Sequence, residues 1–304
     1  MGWRAMHGLP ERVEAAAPAK VNLFLRILAR EESGYHGLET LFQAVSLADT
    51  VAVEHGDPGI ALQVLGDVDT GPPERNLVHR AAVAFYLRTE LTPAVRIQLT
   101  KRIPSAAGLG GGSSDAAATL RALNALHGDP LPRGALLQIA IGLGSDVPFF
   151  LCGSALALAW GHGERLLALP PLPPRPILIA HPGVAMPTAE AFARLAARRG
   201  ESEPRAAALR LEELATWEAV SPLAENDFQA VVAERIPFVG SAVSALRQGG
   251  ARIAMMAGSG SSVFGVFDDA DARDQALERM RGLRMRAWVA ETLDWEPEVR
   301  CDPA

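Results

Sequence analysis

The chain has 304 residues, of which 49% are hydrophobic and 21% charged, and its formal net charge is −6. This composition is typical of a globular protein with one large domain or two of ordinary size. The acidic balance disfavours nucleic acid as a partner, because phosphate neutralisation needs a basic surface. The two cysteines and seven histidines lack the spacing of a metal-binding motif. No signal segment opens the chain, and the longest apolar stretch, residues 147–160, is too short to span a bilayer. We therefore expect a cytoplasmic protein without a membrane partner.

The first half of the chain alternates strand and helix patterns. Apolar periodicity predicts strands at residues 21–27, 51–55, 60–65 and 95–99, and helices at residues 76–88, 113–127 and 133–141. Residues 56–59, Gly-Asp-Pro-Gly, predict the turn between the second and third strands. Gly128 and Pro130 end the second helix, as a glycine and a following proline commonly do.

Five prolines within residues 170–176 are the clearest interruption of the pattern. Proline removes backbone donors and stiffens the chain, so this segment predicts an edge between domains at residues 1–172 and 173–304. Beyond it, strands are predicted at residues 177–180, 252–256, 263–267 and 286–290, and helices at residues 188–199 (continuing to about 214), 239–247 and 270–280. The pattern indicates an α+β fold with mixed strand pairing and no internal repeat.

Only two lysines occur among the 29 basic residues of the chain, Lys20 and Lys101. Lys20 lies in Pro-Ala-Lys-Val-Asn-Leu at the start of a predicted strand, and Lys101 leads from a strand into a glycine-rich loop. Lysine is a compact point charge, whereas arginine presents a broad planar fork. Chance survival in an arginine-rich chain is the alternative. Their positions beside unusual motifs favour sites that need an ammonium group.

The glycine-rich loop lies within residues 108–112 and opens onto a predicted helix. Glycine permits close backbone approach to a ligand, and a helix start offers unpaired N–H groups that bind phosphate. The dinucleotide fingerprint fails because its third glycine would fall at Ser113, and the Walker A pattern fails because lysine precedes the loop. A flexible linker is disfavoured by the strand and helix that flank the loop.

Asp146 is the strongest acidic candidate for chemistry, since it precedes Val-Pro-Phe-Phe, where little else would solvate a carboxylate. It is either a paired functional group or a helix cap. With Lys20 it would form an acid–base unit able to deprotonate a hydroxyl. Residues 258–262, Gly-Ser-Gly-Ser-Ser, predict a second anion-binding loop. They lack the G-x-S-x-G pattern, so a hydrolase serine is not indicated.

Together, these motifs resemble those of the GHMP kinases, which phosphorylate small metabolites from ATP. Residues 18–22 are similar to the first family motif, residues 104–115 to the second and residues 258–262 to the third. Because the motifs occur in order over almost the whole chain, the resemblance implies a two-domain α+β fold. It also implies an active site in the cleft between the domains, with ATP as co-substrate.

Further segments resemble one branch of that family, whose members phosphorylate the 2-hydroxyl of a cytidine-bearing alcohol of the non-mevalonate isoprenoid pathway. These segments are residues 33–38, 40–43, 144–148, 181–184 and 187–188. The resemblance implies that Tyr35 and His36 recognise the cytosine and that Phe192 covers its other face. Two stretches depart from the pattern: residues 105–107 replace a more glycine-rich segment, and Asp115 stands where relatives carry asparagine.

The resemblance also implies a role for individual residues. Asp146 would take the proton from the substrate hydroxyl, and Lys20 would hold that hydroxyl and stabilise developing charge. Mg²⁺ would be held largely by nucleotide phosphates and water, with Ser113 or Ser114 as a protein ligand. The residues implied for ATP binding are Asn76, Lys101, Pro104, Ser105, Ala106, Ala107, Gly108, Leu109, Gly110, Gly111, Gly112, Ser113 and Ser114. Those implied for the substrate are Asn22, Tyr35, His36, Thr188, Phe192, Gly258, Ser259 and Gly260.

Three other functions were weighed against this one. Another GHMP kinase, acting on homoserine, mevalonate or a sugar, would give no reason for Tyr35-His36 or for the segment at residues 181–183. A non-catalytic nucleotide-binding homologue would have no need of both Lys20 and Asp146. A dinucleotide-dependent oxidoreductase is disfavoured by the glycine spacing.

Overall fold

A computed structural model of the protein describes residues 9–30, 36–66, 71–199, 209–295 and 299–302. Its first sheet is built around a long antiparallel hairpin of β1 (Arg12–Arg30) and β2 (His36–His55). The register of this pair shifts at Pro18/Ala19 and again at Asn22/Phe24. Proline has no N–H to donate, so a bulge beside Pro18 follows from the sequence.

Five more strands complete the first sheet. They are β3 (Gly59–Leu65), β4 (Ala94–Thr100), β5 (Leu156–Gly161), β6 (Arg165–Ala168) and β11 (Val299–Asp302). The order is β11-β1-β2-β4-β3, while β5 pairs with β2 and with β6. β3 and β4 are parallel, and the other pairs are antiparallel.

Three helices pack in the first half of the chain: α1 (Leu77–Thr89), α2 (Gly111–Leu126) and α3 (Arg133–Leu143). α2 is central, since most of its 16 residues are buried and it contacts β1, β2 and α1. Its many alanines allow close packing against the sheet. The start of α2 is therefore held rigidly at the point where the glycine-rich loop ends.

The second sheet is antiparallel and contains β7 (Pro176–His181), β8 (Ile253–Met256), β9 (Val263–Val266) and β10 (Arg286–Glu291). Its order is β10-β7-β9-β8. The helices of this half are α4 (Thr188–Arg199), α5 (Trp217–Val220), α6 (Gln229–Arg235), α7 (Phe238–Gln248) and α8 (Ala270–Arg279). Among the residues described, no helix is both long and apolar enough to cross a membrane.

Backbone contacts tie the second half of the chain to the first hairpin. Asn226 forms a β-bridge with Leu25, and Thr292 forms one with Val45. β11 then returns to pair with β1. β11 therefore belongs to the first sheet although it comes from the second half of the chain. The division into domains at residues 1–172 and 173–304 stays a prediction.

The sequence patterns missed several elements, among them the alanine-rich first part of β1 and the short strand β11. Residues 12–20 of β1, residues 36–50 of β2, β5, β6, β11, α5 and α6 were not predicted. Alanine has little strand preference, so Val13, Ala15 and Ala17 face the core without giving a strong pattern. The prediction that helix continues to about Leu214 is wrong where the structure describes the chain, since residues 211–214 form one short 3₁₀ turn. Residues 200–208 lie outside the described part.

Candidate active site

Lys20 projects from β1 into a cleft between the two halves of the chain. Its ammonium Nζ donates to Asn22 Oδ1 at 2.9 Å and lies 3.4 Å from Asp146 Oδ2. The same Nζ lies 5.0 Å from the centre of the Phe42 ring, within the range of a cation–π contact. The residue is 4% exposed, so these few groups define its environment.

Asn22 is held on three sides and in turn holds Lys20. Its Oδ1 accepts from Lys20 Nζ and, at 3.0 Å, from the backbone N–H of Gly258. Its Nδ2 donates to Thr40 Oγ1 at 2.8 Å, and that hydroxyl donates to the carbonyl of Phe24 at 2.6 Å. The amide orientation is thus fixed, and the first and third motifs meet directly at Asn22.

Asp146 follows α3 after the cap residue Gly144 and precedes the buried Val147 and Pro148. Its side chain is 29% exposed and lines the cleft. The apolar residues that follow anchor the turn, so the carboxylate is presented to Lys20 from a rigid support. A carboxylate beside an ammonium at the wall of a cleft can accept a proton from a hydroxyl placed between them.

The glycine-rich loop passes between Lys20 and the third motif. Gly108 and Gly110 have φ values of +80° and +69°, a region that favours glycine. A side chain at Gly108 would lie 2.1 Å from the carbonyl oxygen of Ala257, and one at Gly110 would lie 3.0 Å from Lys20 Cγ. The carbonyl of Leu109 accepts from the backbone N–H of Lys20 at 2.9 Å. Glycine is therefore required by close packing as well as by conformation.

Helix α2 begins at the end of this loop without a capping side chain, its N-cap being Gly110. The first N–H groups of a helix have no partner within the helix and carry the positive end of its dipole. This 16-residue helix therefore directs free donors at the space beside Gly110 and Ser113. Such an arrangement binds phosphate groups.

The third motif packs against the glycine-rich loop through backbone contacts. The N–H of Ser262 donates to the carbonyl of Ala107 at 3.2 Å. Ser259 Oγ lies 2.9 Å from Thr188 Oγ1 at the start of α4, and both residues line the cleft. Ser262 Oγ lies 3.2 Å from Nδ1 of the buried His181. Burial lowers the pKa of His181, and the neighbouring Arg286 lowers it further.

Lys101 lies in a largely buried polar cluster with Asp49 and Asp115. Its Nζ donates to Asp115 Oδ2 at 2.6 Å and also to Asp49 Oδ2. Burial alone would lower the pKa of Lys101, but the charges of Asp115 and Asp49 outweigh it and raise that pKa. Burial raises the pKa of Asp115, although Lys101 partly opposes the shift.

Two connected clefts surround these groups. The larger has a volume of about 1000 Å³ and is lined by Lys20, Asn22 and Asp146 on one side and by Thr188 and Phe192 on the other. The smaller, of about 390 Å³, is lined by Asn76, Lys101, Asp115 and the glycine-rich loop. Four residues line both: Ala106, Gly108, Gly110 and Ser113. A group held in the smaller cleft can therefore meet one held in the larger cleft at the start of α2.

Most of the residues implied for nucleotide binding lie together. All of them except Ser114 line the smaller cleft, while the Ser114 side chain is fully buried in α2. Asn76 also caps α1, because its Oδ1 accepts from the N–H of Val78 at 2.9 Å. Lys101 borders the cleft with its ammonium already paired to two carboxylates.

The residues implied for the substrate are more dispersed. Asn22, Thr188, Phe192, Gly258 and Ser259 line the larger cleft. Gly260 lies behind the loop, where a side chain would meet Met256 and Val232. Tyr35 lies outside the described residues, and His36 is the first residue of β2. The Phe192 ring packs edge-on against Phe228, with ring centroids 4.8 Å apart.

Sequence patterns gave no role to four residues at the site, although Thr40 lies in the segment at residues 40–43 that carries the resemblance. Thr40 fixes Asn22, and Asp49 pairs with Lys101. Asn226 Nδ2 donates at 2.8 Å to the carbonyls of Met256 and Gly258 and so holds the third motif. His162 lines the larger cleft from the β5–β6 turn. An aspartate inside an apolar strand was the available signal for Asp49.

The residues at the start of α2 fit a magnesium nucleotide. Among the described residues, no group of three His, Cys, Asp or Glu side chains could hold a metal. A hard cation carried on phosphates needs only one or two protein oxygens. Ser113 borders both clefts and could supply one, whereas the buried Ser114 Oγ has no hydrogen-bond partner in the described part of the chain.

Comparison with known proteins identifies the family to which this architecture belongs. The chain matches the family models "GHMP kinases N terminal domain" over residues 76–154 and "GHMP kinases C terminal" over residues 205–283. A homoserine kinase from Cytophaga hutchinsonii has the same fold, with a TM-score of 0.73 at 20% identity, covering 96% of this chain and 98% of that one. The two-domain α+β fold inferred from the motifs is confirmed, and the chain is a GHMP kinase.

Relatives of higher identity show to which branch of the GHMP kinases the chain belongs. The 4-diphosphocytidyl-2-C-methyl-D-erythritol kinase of Solibacter usitatus is 42% identical over 267 residues, covering 86% of this chain and 83% of the relative. That of Geobacter sulfurreducens is 38% identical over 281 residues, covering 92% and 98%. The crystal structure of a 4-(cytidine 5′-diphospho)-2C-methyl-D-erythritol kinase matches with a TM-score of 0.77 at 38% identity, covering 92% and 98%. The chain belongs to the family of 4-diphosphocytidyl-2-C-methyl-D-erythritol kinases, as the sequence motifs predicted.

Proposed function

We propose that this protein transfers the γ-phosphoryl group of ATP to the 2-hydroxyl of 4-diphosphocytidyl-2-C-methyl-D-erythritol. The observation that carries the proposal is the meeting of Lys20 and Asp146, 3.4 Å apart, in the cleft onto which the glycine-rich loop opens. Relatives named 4-diphosphocytidyl-2-C-methyl-D-erythritol kinase match the chain at 38–42% identity over most of its length.

Asp146 is the general base of the proposed reaction. Its partly exposed carboxylate faces the larger cleft, where an acceptor hydroxyl can approach. It accepts the hydroxyl proton as the oxygen attacks phosphorus, and the bond from phosphorus to the β-phosphate oxygen of ATP breaks. A correctly placed base contributes about 10²–10⁴-fold to such a step.

Lys20 holds the attacking oxygen and stabilises the charge that develops on the transferred group. Its ammonium is fixed by Asn22 and backed by the Phe42 ring, so it needs no rearrangement during the reaction. Preorganised charge of this kind is the main contribution that a protein makes to phosphoryl transfer.

The glycine-rich loop and the start of α2 bind the phosphates of ATP in this proposal. Free N–H donors at an uncapped helix start and the hydroxyl of Ser113 face the junction of the two clefts. Mg²⁺, when bound with the nucleotide, neutralises phosphate charge there. Because ATP is the co-substrate, we also propose that the protein acts in the cytoplasm.

The far end of the larger cleft receives the cytidine part of the substrate in this proposal. Phe192 supplies one aromatic wall. The family resemblance implies that Tyr35 and His36 recognise the base. Thr188 and Ser259 form a polar rim between this region and Lys20. A volume of about 1000 Å³ is large enough for a nucleotide-sized acceptor.

A panel of acceptors tests the proposal. The full-length protein is incubated with ATP, Mg²⁺ and one of four alcohols: the cytidine compound, homoserine, mevalonate or galactose. We expect ADP release with the cytidine compound only, and a new phosphomonoester on its 2-position by ³¹P NMR. The Asp146→Asn variant, prepared in parallel, controls for contaminating kinases.

Two results would contradict the proposal. Turnover of homoserine, mevalonate or galactose, with none of the cytidine compound, would leave a GHMP kinase with a different substrate. ATP binding without turnover of any acceptor would favour a non-catalytic nucleotide-binding protein.

A further inference from the structure

The Lys101 cluster joins the two ends of the glycine-rich loop. Lys101 directly follows β4, Asp49 lies in β2, and Asp115 lies in the first turns of α2. The side chains of Lys101, Asp49 and Asp115 are 4%, 0% and 3% exposed, respectively. One ammonium group therefore bridges the strand before the loop and the helix after it.

Asp49 fixes the start of the loop through more than Lys101. Its Oδ2 pairs with the ammonium, while its Oδ1 accepts from the backbone N–H groups of Arg102 and, at 2.8 Å, Ile103. Arg102 and Ile103 stand near the start of residues 101–110, the segment that joins β4 to α2 and ends in the glycine-rich loop. Because Asp49 is fully buried and lines neither cleft, its carboxylate cannot act on a ligand directly.

Asp115 fixes the other end. Its Oδ2 accepts from Lys101 Nζ at 2.6 Å, four residues after the start of α2. A side chain added at Gly111, the first residue of that helix, would lie 3.0 Å from Ile103 Cγ2 and 3.4 Å from Lys101 Nζ. The start of the loop and the start of the helix are thus in direct contact around the ammonium.

Two of the three N–H donors of the Lys101 ammonium group are used in hydrogen bonds to Asp49 and Asp115. Separating a buried ion pair leaves a charge without compensation, which strongly opposes any swing of the ammonium toward a ligand. We propose that Lys101 is a positioning residue that sets the shape of the glycine-rich loop through Asp49 and Asp115. The proposal rests on the proposed function only in that the nucleotide lies along that loop.

The first test measures the loop without any ligand. In the free full-length protein, Lys101→Met and Asp49→Asn should each speed amide hydrogen exchange in residues 102–113 by about tenfold or more, as expected for the loss of a charge-assisted hydrogen bond. Exchange in β7 and α7 should not change. A matched control is Arg96→Met, which breaks the exposed pair with Glu54 on the neighbouring strand and should leave the loop unaffected. Unchanged exchange in the loop would overturn the proposal.

The second test separates positioning from direct contact with the nucleotide. If Lys101 bound ATP itself, Asp49→Asn would free the ammonium and leave binding of a non-hydrolysable ATP analogue equal or tighter. Under the proposal, Asp49→Asn weakens that binding by about tenfold, because the loop loses its shape. The KM for ATP should rise similarly while the KM for the acceptor stays constant. Equal or tighter binding in Asp49→Asn contradicts the proposal.

A milder variant keeps the test decisive if Lys101→Met does not fold. Asp115→Asn preserves the volume of the side chain and leaves Lys101 paired with Asp49. It should raise loop exchange and the dissociation constant of the analogue, each by about threefold, and no change in either contradicts the proposal. Because exchange is measured without nucleotide, its result stands even if the acceptor panel contradicts the proposed function.

Discussion

The two lysines of this chain lie on either side of one glycine-rich loop and occupy opposite kinds of environment. Lys20 faces one carboxylate, that of Asp146, whose side chain is 29% exposed and lines a large cleft. Lys101 faces two carboxylates that are almost completely buried. This difference supports the proposed action of Lys20 on a hydroxyl, whereas the ammonium of Lys101 is paired within the protein.

Exposure of the lysine itself does not separate these roles. The side chains of Lys20 and Lys101 are 5% and 4% exposed, so exposure alone does not distinguish the two lysines. What separates them is the number of partner carboxylates and whether those partners reach solvent. Because a buried ion pair strongly opposes separation, we expect a structural role for Lys101 and a chemical role for Lys20.

The largest expected effect comes from removing the one carboxylate beside Lys20. Asp146→Asn should lower kcat by about 10²-fold or more, because it removes the base and leaves the phosphate-binding loop intact. Binding of an ATP analogue, measured by calorimetry, should stay within about twofold of the parent, since Asp146 lines only the larger cleft. Turnover of Asp146→Asn near the parent rate would contradict the assignment of Asp146 as the base beside Lys20.

Sequence reasoning selected Lys20, Asp146 and the loop as candidates because each stands out locally. Lys20 and Lys101 are rare residue types beside unusual motifs, and Asp146 interrupts an apolar stretch. The α+β pattern was also visible, since β4, α1 and α4 show apolar periodicity and β7 is a continuous apolar run. Each of these features is defined by residues that are close together in the chain, so it can be recognised from the sequence alone.

The pairings between distant residues were not predictable in the same way. Lys101 is 52 residues from Asp49 and 14 from Asp115, and only the folded sheet brings them together. Asn22 lies 236 residues from Gly258, which donates to it. β11 was missed because its four residues take their stability from pairing with β1, not from a pattern of their own.

Substitutions at two neighbouring glycines test the difference between the two lysines, because a side chain added at each glycine would approach a different lysine. A methyl group at Gly110 would press on Lys20 Cγ and Cε at 3.0 and 3.1 Å and require a positive φ. One at Gly111 would press on Ile103 at 3.0 Å and approach Lys101 Nζ at 3.4 Å. We expect Gly110→Ala to lower kcat by about tenfold. Gly111→Ala should raise the KM for ATP about threefold with little change in kcat.

Steady-state kinetics at saturating acceptor distinguishes these outcomes, and each glycine serves as the control for the other. If both variants changed kcat and KM by the same factors, the loop would respond as one unit. The two lysines would then not have separate roles.

The smallest expected effect extends the comparison to the third motif, where the buried His181 lies beside Ser262. Burial and Arg286 lower the pKa of His181, so the unfolded chain takes up a proton at higher pH than the folded one. The stabilisation is complete above the unfolded value of about 6.5 and is lost as the pH falls through the lower, folded value. One such group can contribute a slope of at most about 1.4 kcal/mol per pH unit. Urea unfolding at pH 7.5 and 5.5 should show a larger loss for the parent than for His181→Gln, and parallel losses would mean that His181 titrates alike in both states.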